Sequence, residues 1–321
     1  MIRTAALAFL LCTSASIAAP LPTRDQNPLT ASLGLPMPLP ARIAPREWTL
    51  ETTLNWASTA LMQESASETL LVDAETRELR VRLMRPIAER FAIQLQVPYR
   101  YTGAGTLDAF IDSWHDFFGL PSGARRLLPE DQYRIAYVRD GGLRTDISSS
   151  SSGLADVSLD FGYSLLSRPD TSAAAWLSIE LPTGEEEKLT GNESTDVSLS
   201  LAADHRLDDK WSVYAQGAVT RTGGSALLDL EPRRTLWSAL VGIAWHATPA
   251  IELELQLDGH GGAFERTGLD YLSDSLVLTL GGRCLFSSGW RLDLAVSEDI
   301  AVETAPDVVL IIGLSRVVGR R

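Results

Sequence analysis

Hydrophobic side chains recur at every second position along most of this chain, in segments of about ten residues. Trp48, Leu50, Thr52, Leu54 and Trp56 alternate with Thr49, Glu51, Thr53 and Asn55. Phe91, Ile93, Leu95, Val97, Tyr99 and Tyr101 alternate with Ala92, Gln94, Gln96 and Arg100. A period of two marks a β-strand with one apolar face, and about ten residues is what a tilted strand needs to cross hydrocarbon. No stretch approaches 18 consecutive apolar residues, which excludes helical membrane spans. A mean hydropathy near zero fits a transmembrane barrel, which hides its hydrophobicity in alternation.

Three features favour a membrane barrel over a soluble periplasmic β protein. Connections are short at 88–90, 208–210, 247–250 and 287–289, and long at 59–75, 183–194, 222–234 and 260–272. Short periplasmic turns and long outer loops are the habit of outer-membrane barrels. Trp48 and Trp56, like Trp237 and Trp245, lie eight residues apart on the apolar parity. That spacing is about 26 Å along a strand, enough to reach both aromatic girdles. The opposite face carries full charges in mid-strand, which a dry sandwich core cannot hold unpaired. The expected fold is an all-β, transmembrane antiparallel barrel of about twelve strands. Twelve results only if 102–153 is one outer excursion and Tyr133 to Val138 is not a wall strand, since closure requires an even count.

The first residues have the layout of an export signal: Arg3, an apolar run from Ala5 to Leu11, and a small-x-small site at Ser16–Ala18. Loss of 1–18 takes Arg3 and no acid, lowering the formal charge from −13 to −14. It also takes Cys12, leaving Cys284 without an internal disulfide partner. Such a negative charge argues against nucleic acid as a partner. Residues 19–45 hold Pro20, Pro22, Pro28, Pro36, Pro38, Pro40 and Pro45, forming an extended periplasmic or plugging arm ahead of a barrel over 46–321.

One stretch breaks the pattern. Phe110, Ile111, Trp114, Phe117 and Phe118 follow helical spacing, with Asp108, Asp112, His115 and Asp116 on the other face. A helix over 107–118 is expected, capped by Thr106 or Asp108 and stopped by Gly119–Pro121. Strand parity puts it outside the cell. The barrel mouth is preferred to the outer-leaflet interface, because three aspartates would face an anionic leaflet. Phe110, Trp114, His115 and Phe118 thereby become candidates for a plug or gate.

Several of these segments resemble an uncharacterised bacterial outer-membrane family, catalogued only as a domain of unknown function. The resemblance rests on Asn27-Pro28-Leu29, Gly34-Leu35-Pro36, the run from Asp108 through Trp114-His115 to Phe118-Gly119-Leu120-Pro121, Gly153-Leu154-Ala155-Asp156, and Leu181-Pro182-Thr183-Gly184. It covers nearly all of the chain after the signal. It implies an outer-membrane barrel and transfers no catalytic residue. The chain departs from barrel habit by ending Val317-Val318-Gly319-Arg320-Arg321, without the aromatic that the outer-membrane assembly machinery reads.

The candidate solute-binding residues are the charges on lumen parity. Arg80, Arg82 and Arg100 would face one another, with Glu252, Glu254 and Asp258 on another wall. Such an arrangement sets up a transverse field that filters a small polar solute; the bland reading is a salt-bridged filling of a narrow barrel. A lipid-acting hydrolase would have only His115, His205, His246 and His260 as bases, and no nucleophile pairing is legible. Glu185–Glu187 reads as a solvated loop tip, with a calcium site as the alternative. The expected partners are outer-membrane lipid, the assembly machinery and a solute; no cofactor, metal or catalytic residue is expected. A non-conducting structural or partner-binding barrel is the alternative function.

Overall fold

The computed structural model describes residues 19–43, 47–119, 128–129, 131–300 and 303–319. The expected signal at 1–18 lies outside the described residues. The sheet comprises β1 (Glu47–Glu64), β2 (Glu68–Pro86) and β3 (Phe91–Gly103), then, beyond the helix α1 (Asp108–Phe118), the remaining strands. These are β4 (Arg134–Arg139), β5 (Gly142–Ile147), β6 (Ser151–Leu154), β7 (Val157–Ser167), β8 (Thr171–Leu181), β9 (Asp196–Arg206), β10 (Trp211–Arg221) and β11 (Thr235–Thr248). The last four are β12 (Ile251–His260), β13 (Ser275–Leu285), β14 (Trp290–Asp299) and β15 (Val308–Gly319).

All pairings are antiparallel, and β1 closes on β15 from Glu47↔Gly319 to Ser58↔Val308. β6 and β7 are one wall strand interrupted at Ala155 and Asp156, both pairing with β3. Strands β4 and β5 only extend the outer half of β2. The closed wall therefore has twelve strands. Tyr133 to Val138 overlaps a strand, but one above the wall.

The polarity of the wall is that of a lipid-solvated barrel. On β9, Leu199 and Leu201 are 62% and 59% exposed, whereas Ser198 and Ser200 are 1% exposed. Only an apolar solvent outside and a polar filling inside make that arrangement stable. Trp48, Trp237 and Trp245 stand outward as expected, the last stacked on Trp211 at 6.2 Å. Trp56 points outward too, but Arg77 lies over its ring at 4.5 Å.

The expected long loop at 59–75 is instead a continuation of β1 and β2, paired without interruption from Thr59↔Ala74 to Glu64↔Thr69. The two strands project beyond the outer girdle, and their apolar residues serve a different core. Leu61, Leu70 and Val72 pack with Ile135 and Tyr137 of β4 and with Phe264, Tyr271 and Leu272 of the outer loops. Leu29, Leu33 and Leu35 belong to the same cluster, so this cap packs onto the N-terminal residues at the outer mouth.

Glu68 in this projection accepts from the Tyr137 hydroxyl at 2.6 Å and from Gly268 N at 2.7 Å. Burial pushes its carboxyl up, but these hydrogen bonds, together with the Arg139 charge, outweigh burial and hold it below the usual carboxylate range. Because the folded value is the depressed one, its contribution is complete above the unfolded pKa and is lost as pH falls through the folded one. Amide exchange at Gly268 should therefore accelerate below about pH 4 in the native chain. In Glu68→Gln that acceleration should be absent; an unchanged pH profile in the variant would sink the assignment.

Candidate functional site: a lumen filled by the N-terminal arm

Residues 19–43 run up and back down the inside of the barrel. Near the periplasmic turns, Ala19 O accepts from Arg283 Nη1 at 3.1 Å, and Leu21 N donates to Gln256 Oε1 at 3.0 Å. Toward the outer rim Asp25 meets His260 Nε2 at 2.9 Å. Asn27 Nδ2 donates to Tyr271 O at 2.9 Å, and the chain reverses in turns over 28–33. Arg24 Nη2 donates to Ala31 O at 2.7 Å across the reversal. The descending limb is held by Ser198 Oγ on Gly34 O, Gln216 on Leu39 N and Met37 O, and Trp176 Nε1 on Pro40 O. Arg42 reaches the periplasmic turn carbonyl of Arg168 at 2.8 Å.

The prolines explain this mode of attachment. A residue without an N–H cannot extend a ladder, so the arm threads the lumen instead of joining the wall. Several of its backbone groups meet wall side chains, and others bond within the arm's own turns. Gly34 is obligatory in this path: its φ is +69°, and a Cβ there would sit 2.3 Å from that of Asp196. A residual void beside Gly34–Met37, bounded by Arg80, Asp160 and Glu180, is about 10 Å³, room for a single water.

The expected lumen charges are all inward and buried, but they do not oppose one another across an open pore. Arg80 and Arg100 both bind Glu78, each at 2.7 Å and each to a different carboxylate oxygen. Arg82 pairs with Glu51 at 3.2 Å, its cross-strand neighbour. Glu252 and Glu254 bind Arg283 at 3.0 and 3.2 Å, and Arg283 also holds Asp293 at 2.7 Å. Asp258 lies buried one inward position below His260. Each of these arginines is paired with carboxylates on its own or an adjacent strand, but one cation is left over on the Arg80–Arg100 wall and the acids outnumber Arg283 on the other. Glu51, Glu78, Arg283 and Asp293 complete the network and were overlooked, although their parity matches that of the chosen residues.

The helix lies elsewhere than expected. Leu107 and Ile111 pack against Trp56, Val296, Val308 and Leu310, all on outward parity. α1 therefore rides on the outer face of the wall, across the seam between first and last strands. The mouth was already occupied by the arm and the cap. The helix starts at Asp108, whose Oδ2 accepts from Asp131 N at 2.8 Å, and Glu75 of β2 accepts from Thr106 N and Leu107 N just ahead of it. The side chains of Phe110, Trp114, His115 and Phe118 lie outside the described residues.

The short motifs prove to be docking points. Asp156 accepts from Gly184 N at 2.8 Å and Asn192 N at 3.2 Å, and Thr183 Oγ1 donates to Ala155 O at 2.8 Å. The segment around Ala155–Asp156 thus grips the loop after β8. Glu186 accepts from Ser225 Oγ and Ala226 N, and no metal-holding group of three acidic, His or Cys residues occurs among the described residues.

One constellation escaped the sequence. Ser212 Oγ lies 2.7 Å from His246 Nε2, and His246 Nδ1 lies 3.1 Å from Glu252 Oε2, on three adjacent strands. The connectivity is that of nucleophile, base and orienting acid. Ser212 is wholly buried, however, and sits within the ladder between Arg206 and Ala244, with no surface at which an acyl group meets it. The chain of bonds ties strands together at the periplasmic end.

The fold is shared with the COG4313 outer membrane channel from Pseudomonas putida F1, at TM-score 0.59 and 16% identity over 88% of this chain and 99% of that one. The NanC porin aligns at TM-score 0.47 and 5% identity, over 85% and 100% of the two chains. The toluene transporter TodX of P. putida aligns at 0.43 and 13%, over 87% and 92%. No curated protein matches the sequence. The model of one family, described as "Protein of unknown function (DUF3187)", matches residues 5–317, which is nearly the whole chain, and the protein belongs to that family of outer-membrane-type barrels.

Proposed function

We propose that the protein is an outer-membrane channel for a small polar solute, closed by its own N-terminal arm. The observation that carries this reading is how the arm is held. Separate side-chain hydrogen bonds fix it, with no ladder to the wall, against a polar surface that water or solute can replace. Moving the arm leaves the twelve-stranded wall paired and uncovers a lumen lined by Arg80, Arg82, Arg100, Glu252, Glu254 and Asp258. The charges paired along each wall then become exchange sites for a charged or strongly polar solute. The shared fold with an outer membrane channel supports the reading.

The test is single-channel recording in planar bilayers, comparing the full chain with a variant lacking 20–43. The full chain should be closed most of the time; the deletion should conduct roughly tenfold more, as a lumen relieved of its plug must. Arg82→Ala in the open form should shift its ion selectivity. A second reading, a non-conducting barrel that binds a partner through its outer cap, rests on the cluster formed by Leu61, Leu70, Tyr137 and Tyr271. It requires silence from both forms, with heat-modifiable gel migration showing that both are folded.

A further inference from the structure

Arg221, Arg233, Arg234 and Arg266 are all exposed at the outer rim, on a chain whose net charge is −13. Among the described residues none of the four has a carboxylate partner within salt-bridge distance. Arg221 reaches Thr235 Oγ1 at 3.4 Å, and Arg233 Nε donates to Phe264 O at 3.2 Å. Arg233, Arg234 and Arg266 line one open groove of about 610 Å³, together with Glu231 and Glu265. We propose that this groove binds the phosphorylated sugar headgroup of an outer-leaflet glycolipid.

The depth is right for a headgroup. Thr235 is two residues above Trp237 on the same outward parity, which is roughly 7 Å along a strand. Trp237 is 50% exposed and marks the outer edge of the hydrocarbon. The guanidiniums therefore stand at the height of the first polar layer, while an acyl chain below them meets Trp237 and Val219. The groove is also preformed. Arg233 N donates to Ala263 O at 2.9 Å, Glu265 N donates to Glu231 O at 2.8 Å, and Pro232 bridges Phe264. These bonds zip the loop after β10 to the loop after β12.

The chemistry selects the ligand class. Guanidiniums present planar pairs of donors that match phosphate oxygens. Glu231 and Glu265 repel a second phosphate but accept hydrogen bonds from sugar hydroxyls, which a simple phospholipid supplies poorly. Both groups together describe a phosphosugar. The inference does not depend on conduction through the lumen.

The test measures binding to the full-length protein in neutral detergent, read from tryptophan fluorescence, with a monophosphorylated glucosamine-disaccharide lipid as probe. The triple variant Arg233→Gln, Arg234→Gln, Arg266→Gln should bind at least roughly tenfold more weakly, in keeping with loss of charge-assisted hydrogen bonds. Arg90→Gln with Arg168→Gln, at periplasmic turns, should bind as the native chain does. The dephosphorylated lipid and phosphatidylglycerol should each bind poorly. Equal binding by the triple variant and the native chain overturns the proposal, as does equal binding of the dephosphorylated lipid or phosphatidylglycerol. Full competition by millimolar inorganic phosphate would overturn the lipid assignment in favour of free phosphate.

Discussion

Replacing Arg283 with methionine is expected to destabilise the barrel by roughly 3–5 kcal/mol, the usual cost of removing one partner from a buried ionic cluster. Arg283 sits 2% exposed between Glu252, Glu254 and Asp293, which are themselves 2%, 2% and 0% exposed. Taking away the cation leaves three carboxylates in a confined lumen, where among the described residues only His246 still pairs with Glu252 and no cation pairs with Glu254. It also frees Ala19 O at the base of the arm. The measurement is the urea midpoint of heat-modifiable migration for the detergent-folded protein. Adding Glu254→Gln and Asp293→Asn to the same variant should recover much of the loss, because the uncompensated charge goes with them. A cost below about 1 kcal/mol would show that solvent reaches the cluster and that the lumen is not packed as described.

Trp176→Ala should release the descending limb of the arm while leaving the wall intact. Trp176 is fully buried, its Nε1 donates to Pro40 O at 2.9 Å, and its ring packs with Leu39 and Ile43. Gly162 lies opposite it across the ladder, where a Cβ would come 2.6 Å from the indole. Truncating such a residue costs about 3–5 kcal/mol. Most of that loss falls on arm docking, because the ring's apolar partners include both arm residues. At about 1.4 kcal/mol per decade, the undocked population should rise by roughly a hundredfold or more. Frequent channel openings and faster proteolysis between Leu35 and Ile43 are the expected readouts. Unchanged openings and an equally protected arm, in a variant that still folds, would remove the arm from the gating scheme.

Much of the wall was legible because lipid and lumen impose opposite solvents on alternate residues. That pressure reaches every strand, so the parity of Val197–Leu201 or Ile251–Asp258 could be read directly. The same parity also held an unused signal. Trp176 and Tyr214 are large aromatics on the polar face, and Leu61, Leu70 and Val72, in the stretch expected to be a loop, are apolar on the same face. Apolar groups facing a lumen require something apolar inside it. In this barrel that is Leu33, Leu35, Leu39 and Ile43 of the arm.

The helix shows where local pattern stops. Its amphipathic spacing predicted that one face is buried, and Leu107 and Ile111 are. Which surface buries it depended on volume: the arm had taken the mouth, and an apolar seat was free on the seam of β1, β14 and β15. The grip of Glu75, some thirty residues earlier, on Thr106 and Leu107 ahead of the helix was equally beyond local reading.

By itself the sequence determined the twelve-stranded wall and the polarity of its two faces, because each follows from short-range alternation and turn length. Only the tertiary structure decided that the proline-rich arm fills the lumen and that the charges pair with neighbours along each wall. It alone placed the helix outside and assembled four arginines at the outer rim. Those outcomes depend on which residues meet across strands far apart in the chain, and on which of two competing segments occupies a single confined space.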